Sequence, residues 1–375
     1  MKNKNNTILI AGGGTGGHLF PALAIVRALN EKNTIYVGSK FGIESKLNIL
    51  DDFDKKYFLD ITGIQRNFSL KSILNNSIFP YKFIKAYFVS RKIIKLHQPK
   101  IIIGTGGYCS GLPLLAGIHM GIPTLIQDQN SIPGLITRKL YNKINTICVA
   151  YNNVKNIIKN KNVVITGNPV NPNLYSTDSS IDNKNDFKKE LGIDENKKTI
   201  LFLGGSQGAE AINNHIYNNI NFYLKNNYQI ILQCGEKNYD SIPDDIIKEK
   251  NIIIKKFINE EGKWNMYRTY KAADLVIARA GALTISELTF LGKAMILIPY
   301  KYAADNHQEI NADSIEKKKA CFVIHEDKLK KGILEKTIND IFNKNKIKYL
   351  EKKSLSAAFP EATLNICNEI NKLII

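Results

Sequence analysis

The stretch ADLVIARAGALTISELTFLGKAMILIPY, from Ala273 to Tyr300, decides the fold. DLVIA reads as a short buried strand, ARAG as a tight turn, LTISELTFLG as a helix with Ile285, Leu288 and Leu291 on its apolar face, and AMILIP as the next strand. Strand, glycine turn, helix and strand in that order make one unit of a parallel α/β sheet. Such a unit aims the first N–H groups of its helix past the carboxyl edge of the sheet, where they favour a phosphate. The chemistry expected there is a nucleotide diphosphate, with Glu287 accepting from both hydroxyls of a ribose. A plainer reading stands beside it, because Thr284 and Glu287 have the T-x-x-E spacing of a capping box and could serve the helix alone.

The same pattern recurs on the N-terminal side of this stretch. TILFLGGSQGAEAINNHI (Thr199 to Ile216) is again strand, glycine turn and helix, and Ser206 with the backbone donors around Gly204 to Gly208 suits a phosphate. At the start of the chain, TILIA (Thr7 to Ala11) leads through GGGTGGH (Gly12 to His18) into LFPALAIVRALN. Gly12, Gly14 and Gly17 fit G-x-G-x-x-G, so a dinucleotide fold is in play. The next strand, TIYVG, ends at Ser39 and Lys40, where an NAD site wants an acidic residue; a lysine leaves NADP open. His18 stands directly after the glycines. A histidine there can act as a general base, or it can orient the loop. IIIGTGGY (Ile101 to Tyr108) enters another glycine turn, and PTLIQDQNSIPGL carries Gln129 and Asn130 in a polar turn.

Repeated strand, turn and helix units in both halves imply two doubly wound parallel-sheet, Rossmann-like domains facing a cleft. The turn-rich run Gly167 to Pro172 and the polar segment up to Lys198, which lacks a strong period, place the hinge near 167–172. The expected division is 1–167 and 168–354. A last helix, from about Ala362 to Ile374, has no obvious place in the second sheet.

Composition sets the bounds. A chain of 375 residues, 44% hydrophobic, suits two domains with a core each. A net charge of +18 predicts attraction to anionic surfaces, without choosing between phospholipid, phosphorylated substrate and nucleic acid. The five cysteines, Cys109, Cys148, Cys234, Cys321 and Cys367, show no CxxC and no pairing with the histidines, which reads as reduced thiols and no structural zinc. The apolar run in MKNKNNTILIAGGG is too short for a signal peptide, so membrane contact is expected to be peripheral.

Two local features carry competing readings. Asp52-Phe53-Asp54 matches a metal-binding D-x-D, but in the charged run DDFDKK a solvated turn between elements is the stronger expectation. In SLKSILNNSIFPYKFIKAYFVSRKIIKLH, Pro80 suits a first helical residue. Phe83, Ile84, Tyr87 and Phe88 then form a stripe flanked by Lys82, Lys85, Arg91, Lys92 and Lys95. Such a stripe packs into a core or rests on acidic lipid.

Taken in order, GGGTGGHLFPALA, GTGGY, QNSIPGL, GNPV, LGGSQGA, RAGALTISEL and DNHQEINA resemble the bacterial peptidoglycan glycosyltransferases of the MurG family, across nearly the whole chain. The family carries out transfer of N-acetylglucosamine from its UDP ester to the 4-hydroxyl of N-acetylmuramyl-pentapeptide on undecaprenyl pyrophosphate, turning lipid I into lipid II. The resemblance implies a GT-B fold, an inverting reaction without a metal or other cofactor, and a peripheral place on the cytoplasmic face of the bacterial inner membrane. The last helix, about 355–375, would pack back on the first domain. Thr15, Gly16 and Gly17 would line the sugar and acceptor side, with Gly106, Gly107 and Tyr108 also toward the acceptor. Asn130 would bind the N-acetylglucosamine, Ser206 the diphosphate, and Ile258 the uracil through its backbone. The run Ala282, Leu283, Thr284, Ile285, Ser286, Glu287 would hold phosphates and ribose, and Gln308 the transferred sugar. His18 is the candidate base. The implied partners are UDP-N-acetylglucosamine, lipid I, anionic inner-leaflet phospholipid and other cell-wall synthesis proteins, with no nucleic acid. One departure is Asn171, where the family usually has arginine after GNPV; His307 stands where some relatives have glutamine. The alternatives are an NADP oxidoreductase, another GT-B enzyme acting on diacylglycerol or a small molecule, and a non-catalytic lipid- or nucleic-acid-binding protein, which only the charge favours.

Overall fold

Among the described residues, thirteen strands form two all-parallel sheets. The first sheet has β1 (Ile8–Gly12), β2 (Thr34–Ser39), β3 (Lys55–Leu59), β4 (Ile101–Gly106), β5 (Thr124–Asp128), β6 (Thr146–Val149) and β7 (Val163–Ile165). The second has β8 (Lys198–Leu203), β9 (Tyr228–Gln233), β10 (Ile252–Lys255), β11 (Leu275–Ala278), β12 (Met295–Leu297) and β13 (Phe322–Val323). The structure is a computed structural model. It describes residues 7–31, 33–45, 49–63, 70–159, 162–171, 174, 183–205, 207–258 and 262–374, and for 70–75 the backbone alone. The chain divides into two compact units, Met1–Pro172 with Pro360–Ile375, and Asn173–Phe359.

In the first unit the strand order is β3-β2-β1-β4-β5-β6-β7. A parallel sheet covered on both faces needs strands that are apolar throughout, and ILIAG in β1 is buried at all five positions. Successive side chains go to opposite faces. Leu9 and Ala11 join Ile102 and Ile126 in one core cluster, while Ile8 and Ile10 join Ile101, Leu19 and Leu23 in the other. The helix Ala362–Ile374 completes that second cluster with Ile366 and Ile370, both fully buried. Thr363 fastens it, its Oγ1 accepting from the Val170 N–H at 3.3 Å.

The second unit has the order β10-β9-β8-β11-β12-β13. In each sheet the order reverses between two central strands, β1 and β4 or β8 and β11, and a glycine turn leaves the carboxyl end of each of the four. Ligands of open α/β sheets gather at such switch points. The β1–β4 register slips between Ala11 and Gly12, where the first turn peels away.

Three expectations need correction. Pro80 does not begin a helix; it lies inside Leu70–His97, a single helix of 28 residues. Its ring is on an exposed face, where water can satisfy the carbonyl that a proline leaves without a donor. The run DDFDKK is not wholly a turn, because Lys55 and Lys56 open β3, an edge strand whose exposed start tolerates lysine. The segment before Lys198 contains the helix Lys184–Leu191. Asn183 caps it by accepting from Asn185 N, and Gly192 ends it in the left-handed region at φ 73°. Its lysines hid the period, while Phe187 and Leu191 carry the burial.

At the amino end of β11 a charged cluster holds buried Asp274, Lys188 and Lys293 with half-buried Lys184. Asp274 pairs with Lys184 at 2.8 Å and Lys188 at 3.1 Å. Lys293 donates to Ala273 O at 2.6 Å, and burial, followed by repulsion from Lys184, pulls its ammonium down to about 7. An unfolded lysine keeps its proton to about 10.4, so between about 7 and 10 the unfolded chain binds more protons and stability rises with pH. The urea midpoint of the second unit is expected to climb across that window, and Lys293→Met is expected to flatten the climb. Equal slopes in the two proteins would assign the pH dependence to another group.

Candidate functional site

The first glycine turn of the N-terminal unit is gripped from both sides. Tyr36, fully buried in β2, donates its hydroxyl to Gly12 O. Glu44, in the one-turn 3-10 helix Ile43–Ser45, accepts from Gly14 N with both oxygens, at 3.0 and 2.9 Å, and from Ser39 N at 2.8 Å. Beyond the turn, Thr15 is the N-cap of the helix Gly16–Leu29, with no side-chain cap bond. That helix presents Gly17 at the surface and His18 half-buried in its first turn.

His18 is held by the next turn. Thr105 Oγ1 donates to His18 O at 2.7 Å, and His18 Nδ1 lies 3.2 Å from both Thr105 O and Gln129 Oε1. Gln129 is oriented by its amide nitrogen, which donates to Thr105 O at 2.9 Å and to the Gln127 carbonyl and side-chain oxygens. Both neighbours of Nδ1 are therefore acceptors. They place the proton of a neutral ring on Nδ1 and make Nε2 its basic nitrogen. Gln127 in turn donates to Asn168 Oδ1, and Asn168 donates to Gln129 O, so the GNPV motif closes the network.

Gly106 and Gly107, at φ 104° and 77°, pack against this arrangement. A Cβ on Gly106 would overlap the His18 ring, and one on Gly107 would overlap Gly13 O, so the two turns can meet only as glycine. Tyr108 begins the helix Tyr108–His119 and is half-buried. Asn130 sits in the loop after β5, which is tied to Asp128: the carboxylate accepts from Thr137 Oγ1 at 2.5 Å, Gly134 N at 2.8 Å and Asn130 N at 3.4 Å. Burial raises the Asp128 carboxyl above its ordinary range, against the pull of those bonds and of His18.

In the second unit the opening stretch forms β11, a turn and the helix Ala282–Phe290. The capping-box reading is overturned. The N-cap is Gly281, without a side-chain cap bond, so Thr284 lies inside the first turn and Glu287 one turn further on. Glu287 Oε2 instead accepts from the hydroxyl of Tyr270 at 2.8 Å. Ala282 and Ile285 are buried against the sheet, whereas Leu283, Thr284 and Ser286 are part-exposed. The first-turn amides of a helix have no acceptor within it, and here they follow a small-residue turn held in place by two side chains. Asn311 donates to Ala280 O at 3.2 Å. Arg279 binds Glu326 at 2.7 Å and the carbonyl of Ile298 at 3.2 Å.

Gln308 lies near the start of the helix His307–Glu316, its Oε1 accepting from Tyr300 N at 3.0 Å. Ile258 is buried, and its N–H donates to Gln233 Oε1 at 3.0 Å. Gln233 also donates to Gly205 O at 3.1 Å, linking that position to the turn after β8. Ser206 of that turn lies outside the described residues.

Asn171 is in the first unit, where its Oδ1 accepts from Arg27 at 3.3 Å; Arg27 is also paired with Asp52 at 2.9 Å. Asp54 accepts from Thr34 N at 2.7 Å and Thr34 Oγ1 at 3.0 Å. Both carboxylates of the D-x-D are thus committed within the unit. Sequence reasoning missed Glu44, Gln127, Asp128, Asn168, Gln233, Tyr270, Arg279 and Asn311. Only the motif positions of Asn168, Arg279 and Asn311 offered a signal.

Comparison with known proteins agrees with this architecture. Residues 8–149 match the family model for the glycosyltransferase family 28 N-terminal domain, and residues 199–365 match that for its C-terminal domain. The chain is 39% identical over 373 residues to a UDP-N-acetylglucosamine–N-acetylmuramyl-(pentapeptide) pyrophosphoryl-undecaprenol N-acetylglucosamine transferase of Flavobacterium psychrophilum, covering 98% of this chain and 97% of that protein. It is 31% identical to the protein of the same name from Bacillus subtilis, covering 98% and 99%. The crystal structure of Acinetobacter baumannii MurG superposes with a TM-score of 0.72 at 26% identity, covering 98% and 99%. A UDP-GlcNAc 2-epimerase from Neisseria meningitidis, at 14% identity and a TM-score of 0.65, shares the fold. With both domain models matched in order and full-length kinship above 30%, the chain belongs to glycosyltransferase family 28 and, within it, to the MurG family.

Proposed function

We infer that the protein transfers N-acetylglucosamine from UDP-N-acetylglucosamine to the 4-hydroxyl of the muramyl sugar of undecaprenyl-pyrophosphoryl muramyl-pentapeptide, with inversion, converting lipid I to lipid II. The full-length kinship supports the substrates. The observation that carries the chemistry is the His18 network, which builds a basic Nε2 at the carboxyl edge of the first sheet. His18 takes the proton of the acceptor hydroxyl as its oxygen bonds to the anomeric carbon, and the bond from that carbon to the UDP oxygen breaks. Thr15, Gly16 and Gly17 serve the donor sugar and the acceptor side, Gly106, Gly107 and Tyr108 the acceptor, and Asn130 and Gln308 the transferred sugar.

UDP leaves as an anion. The helix start at Ala282 to Ser286 and the turn of Ser206 take its phosphates, Glu287 its ribose and Ile258 its base. A helix terminus contributes about 0.3–2 kcal/mol, well short of the 8–23 kcal/mol an enzyme supplies. Proximity and oriented backbone donors account for the larger part. Transfer of labelled sugar from UDP-N-acetylglucosamine is tested against the muramyl-pentapeptide lipid and against diacylglycerol. Product on the first is expected; product on diacylglycerol alone would move the chain to a different acceptor.

Among the described residues no helix is long and apolar enough to cross a membrane. The helix Leu70–His97 offers another contact. Tyr87 turns inward toward the core, but Ile78, Tyr81, Ile84 and Phe88 are exposed, at 41%, 65%, 56% and 61%, beside exposed Lys85, Lys92 and Lys95. Apolar side chains interleaved with lysines suit the interface of an anionic bilayer, each cation near it contributing about 1 kcal/mol. This face is proposed to seat the protein on the cytoplasmic surface of the inner membrane. Ile84→Ser with Phe88→Ser is expected to lower partition onto phosphatidylglycerol vesicles by about 10²–10⁴-fold, taking roughly 1.5–3 kcal/mol for each of the two side chains. Parent-like binding by the double variant would put the contact elsewhere.

A further inference from the structure

A glycine turn between a central strand and a helix is a cradle for an anion because its backbone N–H groups converge. In the first turn of this chain an anion is already present. The Glu44 carboxylate is 1% exposed and lies beneath the turn, taking Gly14 N on both oxygens and Ser39 N on one. Two amides, making three contacts at 2.8–3.0 Å, are the complement of a carboxylate. The surrounding backbone is cut to admit it. A Cβ on Gly13 or Gly42 would run into this carboxylate, one on Gly38 into the Tyr36 ring and the Glu44 methylene, and Gly13 and Gly14 sit at φ 143° and 89°. The side chain comes from thirty residues away in sequence, so the fit is tertiary.

We propose that Glu44 is the resident anion of the first glycine turn and thereby a positioning residue for transfer. It takes the Gly14 N–H that would otherwise be offered to a phosphate, so this turn does not compete for the nucleotide. By pulling Gly14 inward, while Tyr36 holds Gly12, it fixes the direction in which Thr15 starts the helix that carries His18. Glu44 touches no reacting atom. Its effect passes through the backbone of the turn.

The inference rests on the transferase reading for its kinetic consequence but not for its structural one, and the experiment separates the two. Full-length parent, Glu44→Gln and Glu44→Ala proteins are assayed for transfer, and the same proteins labelled with ¹⁵N-glycine report the Gly14 amide by NMR. Glu44→Gln keeps the volume but turns an N–H donor against Gly14 N. It is expected to lower kcat by about 10–100-fold, as small misplacements of a catalytic group do, with the donor KM within about two-fold. The Gly14 resonance is expected to move. Glu44→Ala leaves a carboxylate-sized cradle, and added formate is expected to restore both the resonance and a share of kcat.

Parent-like kcat in Glu44→Gln, or a donor KM that rises in step with the loss of kcat, overturns the proposal. So does a Gly14 resonance indifferent to Glu44 and to formate. If Glu44→Ala loses its cooperative melting transition, the Glu44→Gln results decide. Should the parent transfer no sugar, the transferase reading fails alone, and the Gly14 resonance with its formate response still settles whether Glu44 is the anion of the turn.

Discussion

Replacing His18 with alanine is expected to lower kcat by about 10²–10⁴-fold, the range for a positioned general base, while the donor KM stays within about two-fold. The split follows from what the side chain does and does not hold. The backbone of this turn is fastened through the His18 carbonyl, which accepts from Thr105 Oγ1, and alanine keeps that bond. What disappears is the ring whose Nδ1 is committed to Thr105 O and Gln129 Oε1. Gln129→Leu tests the same assignment from the other side, because it removes the acceptor that helps fix the tautomer without touching the base. A smaller loss of about ten-fold is expected, since Thr105 O still accepts from Nδ1. Steady-state transfer with both substrates varied reads both variants. A His18→Ala protein with parent-like kcat would place the base on another residue.

The parallel α/β class was legible because buried parallel strands read as unbroken apolar runs, and TILIA, IIIG, TILFL and DLVIA are such runs. The glycine turns were legible for a related reason: close approach of backbone to backbone, as at Gly107 over Gly13 O, leaves no room for any other residue. What escaped were groups whose roles are created by tertiary contact. Glu44 sits in FGIESK among ordinary surface residue types, and no local pattern tells that its carboxylate reaches Gly14. Tyr270 and Gln233 are likewise buried polar residues that no local pattern marks, given a partner only by Glu287 and by Ile258. The T-x-x-E pattern misled because spacing alone does not locate the N-cap. Gly281 takes that position, three residues before the threonine. Pro80 misled in the opposite sense, as a start signal inside a helix whose exposed face tolerates it.

Glu287→Ala is expected to raise the donor KM by about 10²-fold or more. A hydrogen bond to a charged group contributes about 1.5–3 kcal/mol, and a ribose can donate two. The loss is not a loss of helix. Gly281 forms the N-cap, so the start of Ala282–Phe290 does not depend on Glu287. The carboxylate is oriented before any ligand arrives, through the 2.8 Å bond from Tyr270, whose buried hydroxyl keeps its proton because burial and the facing carboxylate both raise its pKa. Tyr270→Phe deletes that bond alone and is expected to cost about five- to ten-fold in donor KM, near the 1–1.5 kcal/mol of one hydrogen bond, with kcat little changed. A donor lacking the 2′-hydroxyl completes the argument. It should bind the parent more weakly than the natural donor does, and this penalty should vanish in Glu287→Ala, because the partner of the missing hydroxyl is gone. A 2′-deoxy donor penalised equally by both proteins would move the ribose contact off Glu287 and leave Tyr270 with a purely structural bond.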